Sequence, residues 1–211
     1  MDRFKNRTEA GRLLAEKLKN LPWEGTCILA LPRGGVPVAA EVARILKIPW
    51  DLLLVKKIES PMQPEFAIGA IAEDDEPIWN EEARSYIPLS EIDKDYLTKQ
   101  AREKMQFQNE TWKAFRKPIN VENKTVLLVD DGLATGLTMK AAVKHLQLQH
   151  AKRIVVAIPV APKATKPIFT KLVHRYIVLM EPTYFSAVGE WYEDFSQVSD
   201  EEVLQQLNSR K

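Results

Sequence analysis

The chain has 211 residues, 45% of them hydrophobic, which is ample material for one core. One α/β domain spanning 1–211 is therefore expected rather than two. A formal charge of +1 gives no bulk basic face for nucleic acid, and the single cysteine, Cys27, excludes an intrachain disulfide. No apolar run is long enough to span a bilayer, and the first residues, with Asp2 and Glu9 among the bases, lack a secretory apolar region, so the cytosol is the expected location.

In chain order, strands alternate with helices. Arg3 to Leu21 places Phe4, Ala10, Leu14 and Leu18 at roughly helical spacing and predicts a covering helix. Thr26 to Leu31 has the composition of a buried strand, with Cys27 a small buried hydrophobe inside it. Pro32-Arg33-Gly34-Gly35 then opens a helix over Val36 to Leu46, and Asp51 to Val55 is a strand ending in Lys56-Lys57. Ile58 to Pro88 is rich in proline and acids, with β-like pieces at Ala67 to Ala72 and Glu76 to Trp79 suited to a hairpin or a flap. Leu89 to Phe115 reads as one long helix carrying both signs of charge, a solvated or dimer-packing element. Thr125 to Val129 is the central strand and its helix runs to about Gln149; a strand Arg153 to Ile158, a short helix around Lys166 to Leu172 and a strand Tyr176 to Met180 follow. This order predicts an α/β fold, a Rossmann-like parallel sheet flanked by helices.

The chemistry concentrates in the thirteen residues Val126 to Thr138, which read VLLVDDGLATGLT. Four apolar residues form a buried strand, and Asp130 and Asp131 stand at its carboxyl end, where open α/β sheets bind ligands. A glycine-containing turn then leads into a helix beginning near Thr138. Its N–H groups and the Thr135 and Thr138 hydroxyls are placed to converge on a phosphate. Carboxylates beside an anion cradle suit a sugar phosphate, the acids accepting from vicinal hydroxyls. A receiver domain also opens with paired aspartates but needs a phosphoacceptor on a later strand, and the next aspartate here is Asp194, in a polar tail. A plain strand with Asp131 or Thr138 capping the helix accounts for one acid, not for both together with Thr-Gly-x-Thr.

A second anion-binding turn, Leu31-Pro32-Arg33-Gly34-Gly35-Val36-Pro37, follows the first strand. Its glycines let the backbone approach a diphosphate, and Arg33 adds positive charge.

Together these runs resemble the type I phosphoribosyltransferases. The pattern of four apolar residues, two acids and a Thr-Gly-x-Thr loop is their phosphoribosyl diphosphate signature. The likeness is nearest to a group of predicted phosphoribosyltransferases of unassigned base specificity, which share Pro-Arg-Gly-Gly-Val-Pro-Val-Ala, Val-Asp-Asp-Gly-x-Ala-Thr-Gly and a later Val-Gly-x-Trp-Tyr-x-Asp-Phe. The resemblance implies Mg²⁺-dependent transfer of 5-phosphoribosyl from phosphoribosyl diphosphate to a nitrogen heterocycle, within nucleotide salvage, by a homodimer. Asp130 and Asp131 would hold the ribose, and Gly132, Leu133, Ala134, Thr135, Gly136 and Thr138 the 5′-phosphate. Arg33, Gly34, Gly35 and Lys57 would take the diphosphate, with a non-proline cis peptide at Pro32–Arg33 and Mg²⁺ bound mainly through the donor. Asp130, Asp131 and Arg33 are the catalytic candidates.

The same likeness implies a flexible loop and helical insertion over 58–118 that includes Glu65-Phe66-Ala67-Ile68-Gly69, and a hood over 181–211. In the hood, Phe185, Val188 and Trp191 are candidates for a base pocket, and Glu193 or Asp194 for the region of the metal-bound diphosphate. Two departures leave the acceptor open. Ala134 stands where 6-oxopurine enzymes carry a third acid, and Ala161, with Lys163 nearby, where they carry a lysine for the base. Some proteins with this fold are regulators that sense phosphoribosyl diphosphate and bind nucleic acid. No added N-terminal domain fits before Thr26 in this sequence, and catalysis is the favoured expectation.

Overall fold

The computed structural model describes residues 3–61, 67–73, 75–80, 87 and 89–210. Five strands form a parallel sheet: β1 (Thr26–Ala30), β2 (Trp50–Leu52), β6 (Thr125–Val129), β7 (Arg153–Val160) and β8 (Arg175–Met180), in the order β2-β1-β6-β7-β8. A second, antiparallel sheet pairs β3 (Val55–Glu59) with β4 (Ala67–Ala72) and β4 with β5 (Ile78–Trp79). Among the described residues the α-helices are α1 (Arg7–Leu18), α2 (Gly35–Leu46), α3 (Glu91–Trp112), α4 (Leu137–Leu148), α5 (Lys166–Leu172) and α6 (Asp200–Asn208).

Unbroken apolar runs form the central strands because helices cover both faces of the sheet. Side-chain alternation sends Ile28, Ala30, Leu127, Val129 and Ala157 to a core shared with α1, α2, α3 and α6. Cys27, Leu29, Val126, Leu128 and Ile158 face the opposite core, against Met139, Val143 and Leu146 of α4 and Phe169 of α5. Cys27 is thus a buried apolar residue. The smaller sheet lies between α3 and α4. Ile58, Ile68 and Ile71 join the α3 side, while Ala67, Ala70 and Ala72 meet Leu137 and Ala141 of α4, the short side chains allowing close approach.

Several boundaries differ from expectation, each for a local reason. The first helix starts only at Arg7, because Asn6 caps it by accepting from the Glu9 N–H, and it ends at Leu18, before Leu21. Phe4 therefore lies outside the helix. It bridges in parallel to Tyr192 of the tail, with its N–H donating to Trp191 O and its carbonyl accepting from Glu193 N. The Asp51–Val55 run is not one strand. Leu53 N–H still donates to Ala30 O, but Leu54 N–H turns to Glu73, so the chain leaves the large sheet and enters the small one. Lys56 and Lys57 consequently sit inside β3 instead of ending β2. The long helix is Glu91–Trp112, opened by a Ser90–Asp93 capping box, and β7 runs on to Val160. The hairpin expectation matches the β4–β5 pairing.

At the edge of β2, Asp51 is fully buried between two arginines. Its Oδ1 accepts from Arg210 Nη1 at 2.7 Å, and its Oδ2 lies 3.7 Å from Arg116 Nε. Arg210 also donates to Trp50 O and Phe115 O, tying the end of α6 to β2 and to the exit of α3. Removing one member of such a cluster leaves buried charge unpaired. Asp51→Asn should therefore lower unfolding free energy by about 3–5 kcal/mol. Urea denaturation measures this, and an unchanged midpoint would show that the arginines are solvated without Asp51.

Candidate functional site

Along the large sheet, the connection from β1 leads to β2 on one side, while β6 pairs on the other. The carboxyl ends of β1 and β6 thus border a topological switch point, the place where open α/β sheets bind ligands. Both sequence turns are there. Residues 31–34 link β1 to α2, and residues 130–136 link β6 to α4. The Pro32–Arg33 peptide is cis, and Gly35 N–H donates to Leu31 O at 3.0 Å.

The two turns touch backbone to backbone, which their glycines permit. A Cβ on Gly35 would stand 2.8 Å from both Asp130 Cα and Val129 O, and one on Gly34 would stand 2.1 Å from Asp131 Oδ2. Any side chain at either position would force the turns apart. In the second turn, Gly136 takes φ +76°, a left-handed conformation suited to glycine, and forms the N-cap of α4. Neither Asp131 nor Thr138 caps that helix, so the acids remain for other partners. Leu133 anchors the turn, its side chain buried and its N–H donating to Val160 O at 3.0 Å. Ala134 and Thr135 are exposed on the crest, Thr138 is half-buried, and the free N–H groups of α4's first turn lie just behind.

The acids are not equivalent. Asp130 Oδ1 accepts from Asp131 N at 2.8 Å; burial and the neighbouring Asp131 charge push its carboxyl well above the usual aspartate range. Lys57, exposed on β3, is near enough for its charge to offset part of that rise. Burial also raises Asp131, but Arg7 holds the rise down: Arg7 Nε donates to Asp131 Oδ2 at 2.8 Å. Arg7 further donates to Ser196 O at 2.8 Å and lies 3.9 Å over the Phe195 ring. The Tyr192 hydroxyl donates to Asp131 O at 2.5 Å, and burial pushes its pKa up, so it stays a donor.

Arg33 approaches Asp200 of α6 at 3.7 Å and keeps about a quarter of its side chain exposed. Lys56, the other half of the basic pair, points elsewhere, donating to Gln108 of α3 at 3.0 Å. In the tail, Val188 packs on the second turn: a Cβ on Gly132 would lie 2.5 Å from its Cγ1. Phe185 and Trp191 stack with centroids 6.4 Å apart, both half-buried, while Tyr184 is exposed. Glu193 and Asp194 are exposed, their N–H groups donating to Phe4 O and Lys5 O. Glu65 and Phe66 lie outside the described residues, whereas Ala67, Ile68 and Gly69 belong to β4. Lys163 opens a short 3₁₀ turn after Ala161.

Sequence reasoning did not find Arg7, Tyr192 or Asp200 as site residues. Arg7 left one faint trace, a cation in the first turn of a helix, where the dipole disfavours it unless an anion is near.

A parallel sheet with a glycine turn and an acid-acid-glycine turn at its switch point defines an α/β protein whose candidate site lies at the carboxyl ends of its strands. The chain belongs to the phosphoribosyl transferase family, whose domain model matches residues 4–177. A protein of Mycobacterium tuberculosis strain CDC 1551, provisionally named a phosphoribosyl transferase, is 37% identical over 204 residues, covering 97% of this chain and 46% of the relative. Its counterpart from strain H37Rv matches equally. The chain thus spans about half the length of these curated relatives. The crystal structure of TT1426 from Thermus thermophilus superposes with a TM-score of 0.78 at 39% identity, covering 98% of each chain.

The carboxyls differ in what holds their charge. Asp130 takes up its proton at higher pH in the folded than in the unfolded chain, so its ionisation opposes folding. That cost begins as pH rises past about 4 and is complete above the raised folded value. Asp130→Asn should therefore raise the melting temperature of the unliganded protein at neutral pH, with the gain shrinking toward about pH 4. Asp131→Asn should give no such gain, because it leaves the Arg7 charge unpaired. Thermal melts across pH measure both, and equal gains would show that the Arg7 contact contributes nothing.

Proposed function

We propose that the chain moves a 5-phosphoribosyl group from phosphoribosyl diphosphate to a ring nitrogen of a heterocycle, a nucleobase, releasing diphosphate in nucleotide salvage. The observation that carries this reading is the contact of the two turns at the switch point. It sets a carboxyl pair between an N–H-lined turn and an arginine-bearing one.

The α4 N-terminus and turn 132–138 would hold the 5′-phosphate, with Thr135 and Thr138 donating hydroxyl hydrogens. Asp130 and Asp131 would accept from the ribose hydroxyls and face the positive charge that develops on the ring as the C1–O bond lengthens. Gly34 and Gly35 would let the diphosphate meet backbone, and Arg33 and Lys57 would supply charge. Arg33 exchanges Asp200 for the diphosphate in this scheme. Among the described residues no group of three histidines, cysteines or carboxylates gathers to hold a metal ion. Mg²⁺ would be held mainly through the phosphoribosyl diphosphate, where it would supply positive charge to offset that of the leaving diphosphate. Val188, packed on Gly132, and the Phe185–Trp191 stack would flank the base.

A homodimer belongs to the same reading. Ile92, Tyr96 and Phe107 project from one side of α3 with more than half of each exposed, giving self-association a surface. A monomer mass by light scattering would remove it.

Diphosphate release from phosphoribosyl diphosphate and Mg²⁺ should depend on one member of a panel of purine and pyrimidine bases. Asp130→Asn with Asp131→Asn should abolish it, a loss of at least about a thousandfold if charge stabilisation by both acids is removed. A fully active double variant would end the assignment, and donor binding without turnover on any base would favour a sensor.

A further inference from the structure

We propose that Arg7 is a positioning residue for the donor site: it fixes the Asp131 carboxylate so that one oxygen, Oδ1, is presented to the ribose. This rests on the reading of the site given above. Asp131 Oδ2 is already committed. Arg7 Nε donates to it at 2.8 Å, and a Cβ on Gly34 would stand 2.1 Å from it, so the Gly34 backbone covers it too. The carboxylate cannot rotate without losing a charge-assisted hydrogen bond or pressing on the turn that would carry the diphosphate.

Arginine suits this task because its fork is held in three places. Besides Asp131 it donates through Nη1 to Ser196 O at 2.8 Å, and its plane lies 3.9 Å from the Phe195 centroid. The side chain is 11% exposed, and the aspartate 13%, so water screens the pair little. Next to Asp131, Asp130 is a second buried acid, and two adjacent carboxylates repel. The Arg7 cation offsets the cost of burying charge at Asp131. Its anchors come from both ends of the chain, since α1 supplies the arginine and the tail supplies Phe195 and Ser196. The ribose subsite is thereby tied to the tail that flanks the acceptor.

Arg7 has a simpler alternative role as a staple that only holds the tail to α1. The two roles separate by ligand and by double-variant cycle. Binding of phosphoribosyl diphosphate with Mg²⁺, of ribose 5-phosphate and of inorganic diphosphate with Mg²⁺ is measured by calorimetry. The proteins are the full chain, Arg7→Met, Arg7→Lys, Asp131→Asn, Arg7→Met with Asp131→Asn, and Phe195→Leu. Arg7→Met should weaken both ribose-bearing ligands at least about tenfold and leave inorganic diphosphate within about twofold. In the Asp131→Asn background the same substitution should cost less than about twofold further. Arg7→Lys, which keeps the charge but not the fork, should fall between, and it serves as the reading if Arg7→Met does not fold. Phe195→Leu, which removes one support of the fork but keeps the Arg7–Asp131 bond, should weaken ribose 5-phosphate binding less than Arg7→Met does, and an equal or larger loss would make the tail contact the cause and overturn the inference.

Equal losses for all three ligands, or equal losses in both Asp131 backgrounds, would make Arg7 a tail staple and overturn the inference. Unchanged binding in Arg7→Met would overturn it as well, with the donor site left standing. A wild-type chain that binds neither ribose-bearing ligand would overturn the donor-site reading and the inference with it.

Discussion

The contact between two turns at the carboxyl ends of β1 and β6 is the constraint on which the site depends. Gly35 lies against the Asp130 backbone and Gly34 against the Asp131 carboxylate, closer than any side chain would allow. Adjacent parallel strands in register, Ala30 beside Val129, deliver the turns to this distance. The large sheet is therefore what brings the first turn to the acids. The covering helices act through it, α2 starting from the first turn and α4 from the second.

That closeness concentrates charge, and the fold answers it with partners from elsewhere in the chain. Asp131 meets Arg7, Arg33 meets Asp200, and Lys57 offsets Asp130 from the neighbouring sheet. They differ in how readily a ligand could replace a partner, the Arg7–Asp131 pair being enclosed and the Arg33–Asp200 pair partly open. Arg33 is the clearest case. At 3.7 Å and partly exposed, its ion pair is weak and easily exchanged for a stronger anion. Asp130 is the opposite case, an acid kept in a place that disfavours its charge. A site that stabilises positive charge on a ligand tends to contain such a group, at some expense in unliganded stability.

The parts of this arrangement that were readable from the sequence are those carried by consecutive residues. VLLVDDGLATGLT is strand, acids, turn and helix without interruption, and local propensity alone lays it out. The first turn was legible for the same reason, with Leu31, Gly34 and Gly35 setting strand, approach and helix start. The run after Asp51 was not. DLLLVKKIE is apolar at five of its nine positions, and what divides it is a tertiary hydrogen bond from Leu54 N to Glu73, nineteen positions away. Arg7 was hidden more deeply, since its partner is 124 positions distant and only its place in the first turn of a helix sets it apart from a solvated cation. Phe4 fitted a helical period by coincidence, and the Asn6 cap overrides that period.

Under the proposed function, the donor and acceptor halves would consequently be built by different rules. The donor half is two short turns locked by sheet register, and little in it can change without separating them. The acceptor side is a tail held by a single bridge at Phe4–Tyr192, the Tyr192 hydroxyl on Asp131 O, and the Arg7 fork on Phe195 and Ser196. Side chains projecting from that tail, such as Phe185, can vary while these anchors stay. Val188 is the exception, because it rests on Gly132 in the donor turn itself. A larger residue at 188 would press on the backbone that would receive the phosphate under the proposed function, so the choice of acceptor would be constrained at this position by the geometry of the donor turn.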